Sequence, residues 1–229
     1  MPNYTIKLND LGVTEFSPHL NFNKNWKYEV GLLHALVPKS WYNISSEIGN
    51  NTFTFAGNPY IIEDGHYDLD SLLEIIRELT GQAGIDLIGR RHSGFIKVVN
   101  GTASDLILEG IAPVLGFANP TTITAGSNSI GSNKADFSGG INEIELHCDL
   151  VDRRYTRHQG RTSNILKSVI ADSQPLNHIP VVREIHYVPM NNADTLSSIN
   201  IELKDQNGRD IDINGGSAEI TIHIRPIKE

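Results

Sequence analysis

Three short clusters hold the residue types from which chemistry could be built. Glu63-Asp64-Gly65-His66-Tyr67-Asp68-Leu69-Asp70 gathers carboxylates around one imidazole, a donor set that suits a divalent cation. Asp210-Ile211-Asp212-Ile213-Asn214-Gly215 imitates the opening of a calcium loop. Arg153-Arg154-Tyr155-Thr156-Arg157-His158-Gln159-Gly160-Arg161 concentrates positive charge beside an aromatic ring. Each has a plainer reading. The first can be a turn into a helix, whose positive amino-terminal end favours acids. The second lacks the bidentate glutamate that a calcium loop carries at its twelfth position, where Thr221 stands, and its isoleucines alternate as in an edge strand. The third can touch nucleic acid with Tyr155 as a stacking face, pair with acidic loops of a neighbouring subunit, or stay solvated.

Signatures of catalysis are missing. The 9 histidines form no H-E-x-x-H pattern. His34, His147, His186 and His223 fall in strand-like segments and read as packed or surface residues. The serines of Ser127-Asn128-Ser129 stand outside any G-x-S-x-G elbow. There is no phosphate-cradling glycine loop and no dinucleotide fingerprint. The sequence therefore predicts no catalytic residue, no metal site, no cofactor and no enzyme. A triad assembled from distant residues would show only in geometry.

The formal charge of −8 argues against a dedicated nucleic-acid binder. The single cysteine, Cys148, excludes an internal disulfide framework and fits a reducing compartment, cytoplasm or nucleus. The first residues carry neither a basic nor an apolar leader region, so secretion is not expected. Four N-x-[ST] matches, at Asn3, Asn43, Asn50 and Asn100, then read as chance. No run approaches the roughly 20 apolar residues of a membrane span.

The elements that would position these clusters are mostly strands. In the last third, Ser198 to Lys204 and Ala218 to Arg225 alternate apolar and polar residues, and Ile211 to Asn214 continues the pattern. Asn-Gly and Gly-Gly supply the turns. Tyr4 to Leu8, Tyr28 to Leu36, Asn51 to Phe55, Phe95 to Val99, Asp105 to Leu108, Ile141 to Val151, Ile165 to Ile170 and Arg183 to Val188 also read as strands. Asn9 to Asn25 reads as a polar loop broken by Pro18, Ile111 to Gly116 as a helical turn, and Asn119 to Gly140 as an exposed excursion or an ordered arm. From Asp68 to Leu79, apolar residues recur at three and four, with Asp68 as N-cap and Gly81 as stop. The reading is one all-β domain over 1–229, a two-sheet antiparallel sandwich or jelly roll with one short inserted helix at about 68–80.

An ordered set of motifs resembles a known family. Trp26-Lys27-Tyr28-Glu29-Val30-Gly31-Leu32-Leu33 and Pro38-Lys39-Ser40-Trp41-Tyr42-Asn43-Ile44 come first. Gly65-His66-Tyr67 follows before the helix, then Leu115-Gly116-Phe117. The set ends with Ile199-Asn200-Ile201, Asp205-Gln206-Asn207-Gly208 and Ile222-His223-Ile224-Arg225. Together they resemble the penton-type minor capsid proteins of Polinton/Maverick elements and adintoviruses. The resemblance implies a single jelly roll, homopentamers at capsid vertices, contact with a double-jelly-roll major capsid protein, a place in the virion and no catalytic residues. The chain departs from the family over Thr121 to Gly140 and Arg153 to Arg161. A ring repeats one heterologous contact until it closes. Trp41, Tyr42, Arg153, Arg154, Arg157 and Arg161 are the candidate contacts, the aromatics because such residues dominate interface hot spots. Trp41 and Tyr42 could instead plug the end of the sandwich. A receptor- or glycan-binding jelly roll is the alternative, with Trp41, Tyr42 and the Gly/Ser-rich loop lining a sugar site.

Overall fold

Period-two alternation decides most of the architecture. The computed structural model describes residues 3–227 apart from 91, 155, 159, 172–177, 182–183 and 192, with backbone only at 156–158, 161, 178 and 180–181. Contacts gather into two units: residues 1–40 with 141–229, and residues 41–140.

The first unit opens with β1 (Tyr4–Leu8), β2 (Gly12–Asn21) and β3 (Tyr28–Pro38). The second holds β4 (Thr52–Phe55), β5 (Asn58–Ile61), α1 (Leu69–Thr80), β6 (Ile85–Gly89), β7 (Ile96–Asn100), β8 (Leu106–Leu108), β9 (Thr121–Ile123) and β10 (Ser127–Ile130). The chain then returns to the first unit with β11 (Glu143–Cys148), β12 (Thr156–His158), β13 (Arg161–Ser163), β14 (Ile165–Ile170), β15 (His178–Val181), β16 (Tyr187–Pro189), β17 (Thr195–Asp205) and β18 (Glu219–Pro226).

In the first unit one sheet runs β1-β18-β3, with β15 and β16 sharing the far edge of β3, and the other runs β14-β11-β17-β2. Consecutive strands mostly cross between the sheets, which is the jelly-roll winding, and every pairing is antiparallel. Ile6, Val30, Leu32, Ile220, Ile222 and Ile224 are buried from one sheet, and Ile144, Leu146, Ile199, Ile201 and Leu203 from the other. Opposite β18, the register of β3 skips Leu33: Thr221 faces His34 and Ile222 faces Leu32. This bulge changes the phase of burial from Val30 and Leu32 to Ala35 and Val37. Burying one such side chain contributes about 1.5–3 kcal/mol. Gly31 lies under Tyr187, and a Cβ there would sit 2.9 Å from the ring.

The second unit has sheets β5-β4-β8-β9 and β10-β7-β6. Its core joins Phe53, Leu106, Leu108, Ile85 and Val98 to Leu72 and Ile76 of α1 and to Ile111 and Leu115 of a turn. Asp68 caps the helix reciprocally: it accepts from the Ser71 N–H at 2.8 Å while its own N–H donates to Ser71 Oγ at 2.9 Å. The Ser71 hydroxyl, donating to the same carboxylate at 2.6 Å, and then the Ser71 N–H hold the Asp68 carboxyl below its usual range. Gly81 closes the helix in the left-handed conformation, φ 66°.

Several expectations change. Asn9 to Asn25 is not a loop, because β2 pairs with β17 from Gly12 to Asn21 and leaves most of its side chains at the surface. Ile211 to Asn214 is not a strand, and Ile211 and Ile213 are buried from an irregular segment that follows the Lys204–Asp210 bridge and is held by the Ile211 N–H donating to the Leu203 carbonyl at 3.0 Å. The Thr121 to Gly140 excursion carries β9 and β10, and the basic loop carries the β12–β13 hairpin. Of the Arg183 to Val188 strand, only Tyr187–Pro189 pairs, against β3, and Arg183 lies outside the described residues.

Candidate functional site

Outward positions in one layer of an antiparallel sandwich usually face water. Glu145 and His147 alternate with the core residues Ile144, Leu146 and Cys148 along β11, yet their side chains are only 6% and 8% exposed. They lie in a groove of about 620 Å³ in the first unit, with Asp149, Arg153, Asn164 and Glu202 among its walls. His147 Nε2 is 3.0 Å from Glu145 Oε2, and Nδ1 is 2.9 Å from Asn164 Oδ1. A general base must direct a ring nitrogen at the proton it removes. Both nitrogens of His147 are taken, so this is a closed polar network tying Asn164 to the sheet, with no arm left for acid–base work. Neighbouring Asp149 has its carboxyl raised above the ordinary range, mainly by burial. Lys204 is raised by its bond to Asp210 at 2.5 Å, with Glu202 at 3.3 Å also contributing. Burial pushes the Cys148 thiol to about 12, far from the reactive thiolate range.

The basic segment is brought together on the same unit but divided in role. Arg154 is clamped by Asp152: Nε lies 2.9 and 3.0 Å from the two carboxylate oxygens, Nη2 lies 2.5 Å from Oδ2, and the Arg154 N–H adds a fourth bond at 3.0 Å. The Arg154 hydrogen bonds keep the Asp152 carboxyl below its ordinary range. Arg153 is exposed and lines the groove. Arg157 and Arg161 sit on β12 and β13, opposite Thr162 and His158 respectively, and Tyr155 lies outside the described residues.

Trp41 and Tyr42 belong to the second unit and part company there. Trp41 is 3% exposed, its indole N–H donating to the Ser138 carbonyl at 3.3 Å. Tyr42 is 41% exposed. Asn43, next in sequence, is buried and bonded on every side: Nδ2 donates to the Tyr67 and Phe137 carbonyls at 2.6 and 3.1 Å, and Oδ1 accepts from the Tyr67 N–H at 2.8 Å. Asn43 and buried Asn100 spend their amides on the fold, where an acceptor for glycosylation would have to be open. No short motif marked Asn43 as a tie, because its partners are 24 and 94 residues away.

The acidic cluster is structural as well. Asp64 accepts from the Ser46 N–H at 2.7 Å and hydroxyl at 2.8 Å, Asp68 caps α1, and His66 Nδ1 lies 3.1 Å from the Trp41 carbonyl. In the calcium-like segment Asp210 pairs with Lys204, and Asp212 accepts from the Asn214 N–H at 2.7 Å. Among the described residues no three His, Cys, Asp or Glu side chains are placed to share a metal ion. No described helix is long and apolar enough to cross a membrane.

The winding of two four-position sheets defines an all-β jelly roll. The particular likeness is to the crystal structure of selenomethionine-labelled mavirus penton protein, with a TM-score of 0.54 and 9% identity over 99% of this chain and 100% of that one. No family model matches the sequence, and no curated protein matches it either.

Proposed function

We propose that the chain is a structural viral capsid protein, a vertex subunit that assembles into homopentamers and contacts a double-jelly-roll major capsid protein. The observation that supports this reading best is the penton-like fold, matched end to end in both chains. On this reading residues 1–229 act as one jelly-roll domain whose second unit is an insertion. The protein is made in a reducing host compartment and works in the virion. It needs no cofactor, and relatedness to Polinton/Maverick elements and adintoviruses follows from the motif set. Tyr42, Arg153, Arg157 and Arg161 are the residues we assign to subunit contacts. Arg154 contributes through its clamp on Asp152, and Trp41 as the buried neighbour of Tyr42 in the sequence.

Light scattering and negative-stain microscopy of the purified chain test the proposal. Five-fold rings are the expected result. A strictly monomeric species at high concentration, across salt and pH, would refute it.

A further inference from the structure

We propose that the depression around Trp26 is a binding site for an acidic sugar, a single pyranose ring carrying a carboxylate. The depression measures about 210 Å³ and is lined by Lys24, Asn25, Trp26, Lys27, Asn191 and Asp194, all in the first unit. The chain has 2 tryptophans, and since Trp41 is buried, Trp26 is the indole that reaches the surface. Both walls are fixed by the fold. The Trp26 N–H donates to the Asn23 carbonyl at 2.9 Å, and the Asn23 N–H donates to the hydroxyl of buried Tyr28 at 3.1 Å. Opposite, Asn191 Nδ2 donates to the Asp149 and Val151 carbonyls at 2.9 and 3.2 Å. Such fixing lowers the ordering cost of binding.

Three of the polar side chains on this frame are open to a ligand. Lys24, Asn25 and Asp194 have no side-chain hydrogen bond or ion pair among the described residues. Their types define the missing partner. An indole face suits the apolar C–H face of a pyranose, much as it suits other flat, weakly polarised groups. The ammonium of Lys24 suits a carboxylate, and Asp194 and Asn25 accept from hydroxyls. A bare inorganic anion would leave both the indole and Asp194 unused. This inference goes beyond the capsid reading, and its test requires no assembly.

The test is a titration of the whole chain followed by tryptophan fluorescence and saturation-transfer NMR. The probes are the methyl glycoside of N-acetylneuraminic acid, glucuronic acid, methyl glucoside and sodium sulfate. At least one acidic sugar should produce a saturable change with a Kd of about 1 mM, and the neutral sugar should bind roughly tenfold more weakly. Sulfate should produce none. Trp41→Phe should keep the response, while Lys24→Glu and Asp194→Asn should each weaken binding about tenfold by NMR. Trp26→Ala should abolish the NMR signal. If that variant misfolds, Lys24→Glu decides, since Lys24 is exposed and has no side-chain partner among the described residues. The proposal is overturned by silence of both acidic sugars up to about 20 mM, twenty times the expected Kd. An equal response to sulfate or to the neutral sugar, or an unchanged Lys24→Glu, overturns it too.

Discussion

The two units bury apolar side chains by different means. In the first, long strands alternate, so β18, and β17 from Ile199 onward, send every second residue inward and leave polar partners outside. In the second, strands of three to five residues share the core with one face of α1 and with the Ile111–Phe117 turn. The first gains its core from one repeated rule, and the second from many separate fits. A long strand tolerates a local error by bulging, as β3 does at Leu33, whereas a core of separate fits has few such slips available.

Truncation of core side chains should show the largest effects. Phe53→Ala in the second unit should cost about 3–5 kcal/mol, and Ile222→Ala in the first about 2–5 kcal/mol, by urea titration. Hydrogen exchange should then place the loss in the unit carrying the substitution. Equal loss in both would dissolve the distinction between them.

Asp205 comes next. It is buried at the end of β17, accepts from the Asn207 and Arg209 N–H groups at 2.8 and 2.9 Å, and is met by Arg209 Nε at 2.7 Å. Burial opposes its charge, but these donors win and its carboxyl is lowered. A depressed carboxyl contributes stability above its unfolded value and loses it as pH falls through the folded one. Stability should therefore drop below about pH 4, the ordinary aspartate range. Asp205→Asn should cost about 1.5–3 kcal/mol at neutral pH and flatten that acid limb, read by thermal melts across pH.

Smaller still, Asp68→Ala should cost about 1 kcal/mol through loss of the helix cap, seen in helical circular dichroism and the urea midpoint. Smallest in stability are Tyr42→Ser and Arg153→Glu, each within about 0.5 kcal/mol. Both should nevertheless weaken self-association in sedimentation runs. Unaltered association would move the subunit contacts elsewhere.

Legibility in the sequence follows the same divide. Tyr4–Leu8, Tyr28–Pro38, Thr195–Asp205 and Glu219–Pro226 announce themselves by alternation, and α1 by its stripe and caps. β2 hides because it is an edge strand with a largely exposed surface, leaving little apolar pattern around Pro18. Ile211 and Ile213 mislead in the opposite sense: two buried residues spaced by two mimic a strand without its ladder. In the second unit β5 and β6 go unseen, the former beside a turn-like Gly57-Asn58-Pro59, the latter a single short run. Among candidate site residues, types were visible but fates were not. Trp41 and Trp26 look alike in sequence, and only long-range contacts such as Ser138 bury the first. His147 reads as an ordinary strand histidine until Asn164 and Glu145 close on it.

The chain leaves the first unit after β3 and rejoins it before β11, so one hundred residues hang on a single gap in an otherwise continuous winding. Closing a longer gap adds only slowly to the entropy lost on folding, about 0.6 kcal/mol for each doubling of loop length. That makes the gap a socket: the sandwich can keep its strand order while the cassette plugged into it is lengthened, shortened or exchanged, and variation can accumulate in the cassette without rewriting the frame.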